Sequence, residues 1–166
     1  ASCYSERAAS SGCAAIVLAN SDPGLAPVGA LGPVLGTNPL ALAAPAGRAG
    51  IVPRLDRATS SVAVGRVRAA ADESKALPDG WAIGSDGNPT NDPELALSGA
   101  VLPLGGHKGF ALAFLLDVFA ACHPGAERSP DTPRAPGAPE PQNHGYPPGA
   151  IHAAGDRPRR RRPRPG

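Results

Sequence analysis

Proline and glycine constrain the folding of this chain more than any other feature of its sequence. Each occurs 21 times in 166 residues, and 11 of the prolines lie after residue 121. Proline fixes φ and lacks a backbone donor, so helices and strands must fit between these breaks. Residues 122–166 contain only two sizeable apolar side chains, Tyr146 and Ile151. A segment of that kind cannot bury enough apolar surface to order itself, so we predict a folded domain over 1–121 and a disordered tail over 122–166.

The overall composition argues against several classes of protein. A net charge of +2 is too small to indicate a nucleic-acid or membrane partner, and no apolar run is long enough to span a bilayer. The three cysteines, Cys3, Cys13 and Cys122, match no zinc-site spacing, so we predict no disulfide, no metal site and a cytoplasmic location. Because the sequence lacks methionine and opens on Ala1, we expect the natural start to lie upstream.

The predicted tail ends in the basic run Arg159-Arg160-Arg161-Arg162 and has two interpretations. In the first, it is an electrostatic arm on phosphates, and the protein is a nonenzymatic nucleic-acid-binding protein. In the second, it comes from a shifted reading frame of a GC-rich gene, which yields this mixture of Pro, Arg, Gly and Ala. We favour the second interpretation, because no aromatic residues are interleaved with the arginines and acidic residues dilute them.

The first 121 residues contain recognisable strand and helix patterns. Short apolar runs bounded by turn residues predict strands over 14–19, 40–44 and 51–56, the last at an edge because of Pro53. An alanine-rich stretch predicts a helix that is capped by Thr59 or Ser60 and runs to Lys75. Further along the chain we predict an extended piece over 81–83 that is followed by a turn, and then a helical turn capped by Asp92. Residues 24–39 and 102–109 are predicted to be glycine-rich loops, and residues 110–121 a buried helix.

A glycine-rich bend before the last predicted helix could bind an anion. Gly105-Gly106-His107-Lys108-Gly109 combines backbone N–H groups near a helix start with one cation, which suits phosphate or carboxylate. A simple glycine turn with a solvated lysine explains the same residues equally well. The sequence contains no G-x-G-x-x-G fingerprint, phosphate-binding loop or nucleophile elbow.

Several short motifs, taken in order, resemble one family closely. The chain is similar to the malate/L-lactate dehydrogenase family of the non-Rossmann type, which also includes ureidoglycolate dehydrogenase, sulfolactate dehydrogenase and Δ1-piperideine-2-carboxylate reductase. The likeness covers about residues 12–121. The motifs that carry it are Asn20-Ser21, Ala26-Pro27 with Gly29, Leu35-Gly36-Thr37-Asn38-Pro39-Leu40-Ala41, Ala44-Pro45, Asp56 with Ala58-Thr59-Ser60, Gly65-Arg66-Val67, Leu77-Pro78-Asp79-Gly80-Trp81-Ala82, Asp86-Gly87 with Pro89-Thr90, Asp92-Pro93, and Leu102-Pro103 with Gly105-Gly106-His107-Lys108-Gly109.

The resemblance implies an α/β (α+β) fold, with a mostly antiparallel sheet surrounded by helices, that forms an incomplete NAD(P)-binding domain. It implies hydride transfer between NAD or NADP and a small 2-oxo or 2-hydroxy acid, or a cyclic imino acid, in a homodimer. Carried over by position, the residues that would line the cofactor site are Ser21, Ala58, Thr59, Ser60 and Lys108. Thr37 would lie beside the substrate, and we expect Thr59 and Lys108 to share one cleft.

This chain also departs from the family pattern. The catalytic histidine of the family falls in a region outside this chain, and His107 matches a loop position instead. Arg57 replaces the usual methionine after the motif aspartate, and Val28 replaces the usual tryptophan or alanine. Since no general acid is found in the retained motifs, we predict no catalytic residue here and no significant turnover by this polypeptide alone.

Overall fold

The computed structural model describes residues 1–47, 50, 52–122 and 152–153. Within these residues the helices are α1 (Ser2–Ser10), α2 (Val64–Asp72), α3 (Pro93–Ser98) and α4 (His107–Cys122). The strands are β1 (Ala15–Leu18), β2 (Leu40–Ala43), β3 (Arg54–Arg57), β4 (Ala82–Ile83), β5 (Pro89–Thr90), β6 (Ala100–Val101) and β7 (His152–Ala153). Nearly all of the predicted tail lies outside the described residues. The described helices include none long and apolar enough to cross a membrane.

The larger sheet has the strand order β3-β2-β1-β7, and all of its pairs are antiparallel. It confirms the predicted strands near 14–19 and 40–44, whereas β3 begins after Pro53, later than expected. Alanines dominate one face of this sheet, where Ala15, Ala41 and Ala43 are buried. Small side chains let a helix approach closely, and α1 packs against β1 and β2.

The residue pattern does not predict α1, because the helix contains few apolar residues. Tertiary contacts hold it on the sheet instead. Ser5 and Ala9 are its buried residues. The Ser2 N–H donates to Asp56 Oδ2 at 2.8 Å, and Arg54 pairs with Glu6 at 3.2 Å, so both ends of β3 are tied to α1.

The opposite face of the larger sheet is apolar and open in the described part of the chain. Ile16, Leu42 and Leu55 lie side by side across the three strands, and both Ile16 and Leu55 are exposed. A groove of about 560 Å³ runs over this face. One helix therefore covers one side of the sheet and leaves the other uncovered.

The helix α2 forms where alanine favours it, but the predicted caps are wrong. Its N-cap is Ala63, without a side-chain hydrogen bond, and it ends at Asp72 rather than at Lys75. Thr59 and Ser60 precede the helix, and their hydroxyls donate to the carbonyl oxygens of other residues. They lie four and three residues before the N-cap, too far from the first turn of α2 for their oxygens to accept from its N–H groups.

The smaller sheet has the order β5-β4-β6, and its two pairs are antiparallel. It confirms the predicted extended piece at residues 82–83 and the turn that follows. In that turn the Asn88 side chain and backbone N–H donate to Asp86 at 2.9 and 3.0 Å. These hydrogen bonds hold the pKa of Asp86 below its usual range.

Asp92 caps α3 as the sequence predicts, since its Oδ1 accepts from the N–H groups of Glu94 (2.8 Å) and Leu95 (3.4 Å).

Replacing Asp92 with alanine should lower the free energy of unfolding by about 1 kcal/mol, because two N–H groups lose their acceptor. Asp92→Asn should retain most of that stability. Urea denaturation followed by the fluorescence of Trp81, the single tryptophan, measures both. Equal stability of the alanine variant and the parent would contradict this role of the cap.

The last helix, α4, begins earlier than predicted and is buried on only one side. It starts at His107, so Lys108 and Gly109 belong to its first turn rather than to a loop. Ala113, Leu116 and Ala120 are buried, whereas Phe114 and Phe119 are each 56% exposed. The prediction of a buried helix is therefore wrong for the outward side of α4.

Candidate functional site

A buried hydrogen-bond network centres on Asn38. The Ser21 N–H donates to Asn38 Oδ1 at 3.1 Å, and the Thr37 N–H donates to Ser21 Oγ at 3.1 Å. Asn38 Nδ2 in turn donates to the carbonyl oxygen of Ala113 at 2.9 Å and to Asp117 Oδ1 at 3.2 Å. Asn38 is fully buried and Asp117 is 2% exposed. The network therefore joins the Ser21 turn and the Thr37 loop to α4.

Thr59 extends this network to the segment before α2. Its N–H and its Oγ1 both donate to the carbonyl oxygen of Thr37, each at 2.8 Å. Ser60 is buried as well, and its Oγ donates to the carbonyl oxygen of Val62 at 2.7 Å. Both hydroxyl hydrogens are thus committed inside the protein, and only the oxygen lone pairs remain to meet a ligand. Ala58, just before them, is half-buried.

The same segment pairs with the loop that leads into α4. The Leu104 N–H donates to the carbonyl oxygen of Thr59 at 2.9 Å, and the Ser61 N–H donates to the carbonyl oxygen of Leu102 at 2.8 Å. Lys108 lies four residues beyond Leu104, in the first turn of α4. The structure therefore brings the Thr59 segment and the lysine-bearing helix start to the same region of the fold.

The start of α4 offers free donors. The backbone N–H groups of His107, Lys108 and Gly109 have no hydrogen-bond partner among the described residues. The Lys108 side chain is exposed and makes no ion pair within the same part of the chain. The N–H groups of His107 and Lys108, two exposed residues at the positive end of a 16-residue helix, form with one cation a chemically suitable set for a phosphate or carboxylate.

The cavity beside the start of α4 is not lined by the predicted site residues. A shallow cavity of about 370 Å³ lies beside the start of α4, and the residues that line it are Pro27, Val28, Gly29, Ala30, Leu31, Gly80, Ile83, Gly87, Pro89, Leu102, Pro103 and Gly106. None of the six predicted residues is in that set. Thr59 and Lys108 are expected to share one cleft. Their chain segments are joined by a backbone hydrogen bond, but neither residue lines this cavity.

The motif aspartate Asp56 is engaged by the amino-terminal end of the chain. Partial burial raises the pKa of Asp56, but hydrogen bonds from Ser2 and from the N-terminal ammonium outweigh that effect, so the pKa lies below its usual range. Asp56 is therefore ionised at neutral pH. Elsewhere in the described residues, no group of three His, Cys, Asp or Glu side chains is arranged to hold a metal ion.

The sequence analysis missed the parts played by Asn38 and Asp117. Asn38 stands there only as one residue of a motif, and Asp117 is not distinguished from the rest of the predicted buried helix over 110–121. The signal was available, however, because a carboxylate within an otherwise apolar helix requires a hydrogen-bond donor if it is buried. What the sequence does not indicate is which donor, 79 positions away, would meet it.

Comparisons with known proteins agree on one family. The family model described as malate/L-lactate dehydrogenase matches residues 1–157. L-Sulfolactate dehydrogenase of Methanothermobacter thermautotrophicus is 42% identical over 117 residues, which is 70% of this chain and 34% of that protein. Delta(1)-pyrroline-2-carboxylate reductase of Agrobacterium fabrum is 44% identical over 123 residues, or 74% of this chain and 35% of that protein.

A solved structure supports the same relationship. The crystal structure of delta1-piperideine-2-carboxylate reductase from Pseudomonas syringae aligns with a TM-score of 0.74 at 36% identity, covering 89% of this chain and 42% of that one. The likeness thus extends to three dimensions. The chain spans about a third of the length of the curated relatives it matches.

Proposed function

The chain belongs to the malate/L-lactate dehydrogenase family, and from that premise we propose that it supplies part of the nicotinamide-cofactor site of an oxidoreductase. The reaction is hydride transfer between NAD(H) or NADP(H) and a small 2-oxo or 2-hydroxy acid, or a cyclic imino acid. Two kinds of relative support this range of substrates, since one is named for sulfolactate and the other for pyrroline-2-carboxylate. The alternative of a nucleic-acid-binding protein has no support from these relatives.

The observation that carries the proposal is the pairing of the Thr59 segment with the loop before α4. Because Leu104 donates to Thr59, the hydroxyl-bearing turn and the lysine-bearing helix start lie on adjoining chain segments. A second link runs from Thr59 through Thr37 to Ser21. Hydrogen bonds therefore join Ser21, Thr37 and Thr59, and the segment of Thr59 pairs with the loop that leads to Lys108, although these positions are far apart in the sequence.

Each part of this region has a separate task. Lys108 and the free N–H groups of α4's first turn bind phosphate oxygens of the cofactor. Ser21, Ala58, Thr59 and Ser60 form the wall on which the cofactor lies, and Thr37 contacts the substrate. When bound, the nicotinamide accepts or supplies the hydride, while the residues of this chain bind and orient the reactants.

The oligomeric state and the location of the complete protein are inferred from the same family membership. We propose a homodimer that acts in the cytoplasm.

The proposed phosphate contact can be tested with the two lysines of the chain, Lys75 and Lys108. Replacing Lys108 with alanine should weaken binding of NADH and NADPH at least about tenfold, since one charge-assisted contact to phosphate is lost. Lys75→Ala is the matched control, because Lys75 is exposed and forms an ion pair with Glu73 at 2.6 Å, so the nucleotide affinity of this variant should equal that of the parent. Fluorescence titration of the reduced nucleotides gives both constants.

Two results would contradict the proposal. If neither nucleotide binds the folded parent chain, the cofactor assignment fails for this polypeptide. If both lysine variants bind as tightly as the parent, the site lies elsewhere. Comparing NADH with NADPH in the same titration also decides between the two cofactors.

A further inference from the structure

Asn38 has an unfavourable backbone conformation at the centre of the buried network. Its φ is +27°, in the left-handed region that residues other than glycine rarely adopt. The residue is fully buried, and its side-chain amide forms hydrogen bonds with Ser21, Ala113 and Asp117. A strained backbone persists only where the surrounding contacts hold it, and such positions are concentrated at functional sites. The strain at Asn38 therefore needs an explanation beyond packing.

Asp117 determines the orientation of the Asn38 amide. Asn38 Nδ2 donates to the carbonyl oxygen of Ala113 and to Asp117 Oδ1, so Oδ1 of the amide is left to accept from the Ser21 N–H. A rotated amide would place its oxygen against these two acceptors and its nitrogen against a donor. A buried carboxylate is costly in an apolar helix, and this orientation is what it provides in return.

The network leaves the hydroxyl hydrogens of Ser21 and Thr37 available. Ser21 Oγ accepts from the Thr37 N–H, and neither hydroxyl donates a hydrogen bond within the described residues. The hydroxyls of Thr59 and Ser60, in contrast, donate to carbonyl oxygens. Ser21 and Thr37 are half-buried, so their hydroxyls are anchored from behind and still accessible to a ligand.

Helix α4 connects this network to the proposed phosphate contact. Ala113, which accepts from Asn38, lies about 8 Å further along the helix axis than Lys108. Because a helix moves as one body, the hydrogen bonds of Asn38 hold the Ser21 turn and the Thr37 loop at a fixed distance from Lys108.

We propose that Asn38 is a positioning residue for the cofactor and substrate site, and that Asp117 acts through it by orienting its amide. Both side chains are buried, so they act through Ser21 and Thr37 rather than by touching a reactant. The inference rests on the proposed function and adds to it the residues that set the geometry of the site. The contacts that carry it lie inside the described part of the chain.

Asn38→Gly separates the role of the amide from that of the backbone, because glycine adopts a positive φ freely but has no side chain. In the full chain, hydrogen exchange of the Ser21 N–H, followed by NMR, should become at least about tenfold faster than in the parent. Titration with NADH and NADPH should give dissociation constants at least about tenfold higher.

Val67→Ala is the matched control for this variant. Val67 is 1% exposed in the core, and its substitution removes buried methyl groups without touching the network. It should therefore lower stability while leaving the nucleotide dissociation constants unchanged within about twofold.

Reversing the amide and the carboxylate tests the role of Asp117. Asn38→Asp alone places two carboxylates where Asn38 Nδ2 and Asp117 Oδ1 now lie 3.2 Å apart, so it should weaken nucleotide binding as strongly as Asn38→Gly. Asn38→Asp combined with Asp117→Asn restores an acceptor for the Ser21 N–H and a donor beside it. The dissociation constants of this double variant should return to within about threefold of the parent values.

Three results would overturn the inference. The first is Ser21 exchange in Asn38→Gly that is no faster than in Val67→Ala. The second is an equal loss of nucleotide affinity in these two variants, as a merely structural role predicts. The third is a folded double variant that binds no better than Asn38→Asp. A parent chain that binds neither nucleotide contradicts the proposed function instead, and exchange at Ser21 still decides whether Asn38 anchors that turn.

Discussion

Replacing Asn38 with alanine should lower the free energy of unfolding by about 3 kcal/mol, one of two large stability effects that originate in the buried network. The substitution removes the acceptor of the Ser21 N–H and the donor to Ala113 and Asp117. A buried polar group that loses its partner costs about 1–3 kcal/mol, and more when it is charged. Asp117 keeps other interactions, which limits the loss.

Asn91→Ala is the matched control for this prediction. Asn91 Nδ2 also donates to a backbone carbonyl and to an aspartate, at 2.7 Å from Leu77 O and 2.8 Å from Asp79 Oδ1. Because Asn91 is exposed, water replaces those partners, and we expect a loss of about 1 kcal/mol or less. Urea denaturation of both variants measures the difference. Similar losses of unfolding free energy at Asn38 and Asn91 would show that burial of the network contributes little to stability.

Replacing Gly36 with alanine should destabilise the chain by about 3 kcal/mol or more. A Cβ at this position would overlap the backbone oxygen and the Oγ of Ser21, and also Asn38 Oδ1. Overpacking by a single methyl group typically costs about 1–3 kcal/mol, and here the obstructing atoms include backbone that cannot rotate away. The Ser21 turn and the Thr37 loop must then separate, which also disrupts the proposed cofactor wall.

Gly65→Ala should have the opposite effect on stability. A Cβ at Gly65 meets nothing within 4 Å, and the residue lies in the first turn of α2. Alanine in a helix is more favourable than glycine by roughly 0.5–1 kcal/mol, so this variant should be slightly more stable than the parent. Thermal and urea unfolding of the two alanine variants give the comparison. If Gly36→Ala is as stable as the parent, the close approach at Ser21 is not a real constraint.

Local features of the sequence predicted much of the fold. The first two strands, the turn after Ile83 and the cap at Asp92 all appear where the residues indicate them. Each depends on groups only a few positions apart, so the energetic preference is present before any tertiary contact forms. The family resemblance is confirmed as well, because the motifs that carry it occur in the same order along about 110 residues of the sequence.

Contacts between distant segments account for the errors. Thr59 was expected to cap α2 but donates to Thr37, 22 residues earlier. The helix α1 has few apolar residues and is held by Asp56 and Arg54 of β3. One side of α4 is exposed although its sequence is apolar throughout, because within the described residues no segment covers it.

The sequence by itself determined the family, the short elements and the residue types available for binding an anion. Only the tertiary structure decided that Asn38 and Asp117 meet in the interior, that the Thr59 segment adjoins the start of α4, and which side of α4 faces outward. The physical reason is the distance along the chain over which each kind of interaction acts. Propensity and capping act over a few residues, whereas a buried hydrogen bond between positions 79 residues apart exists only after both segments have packed against a common core.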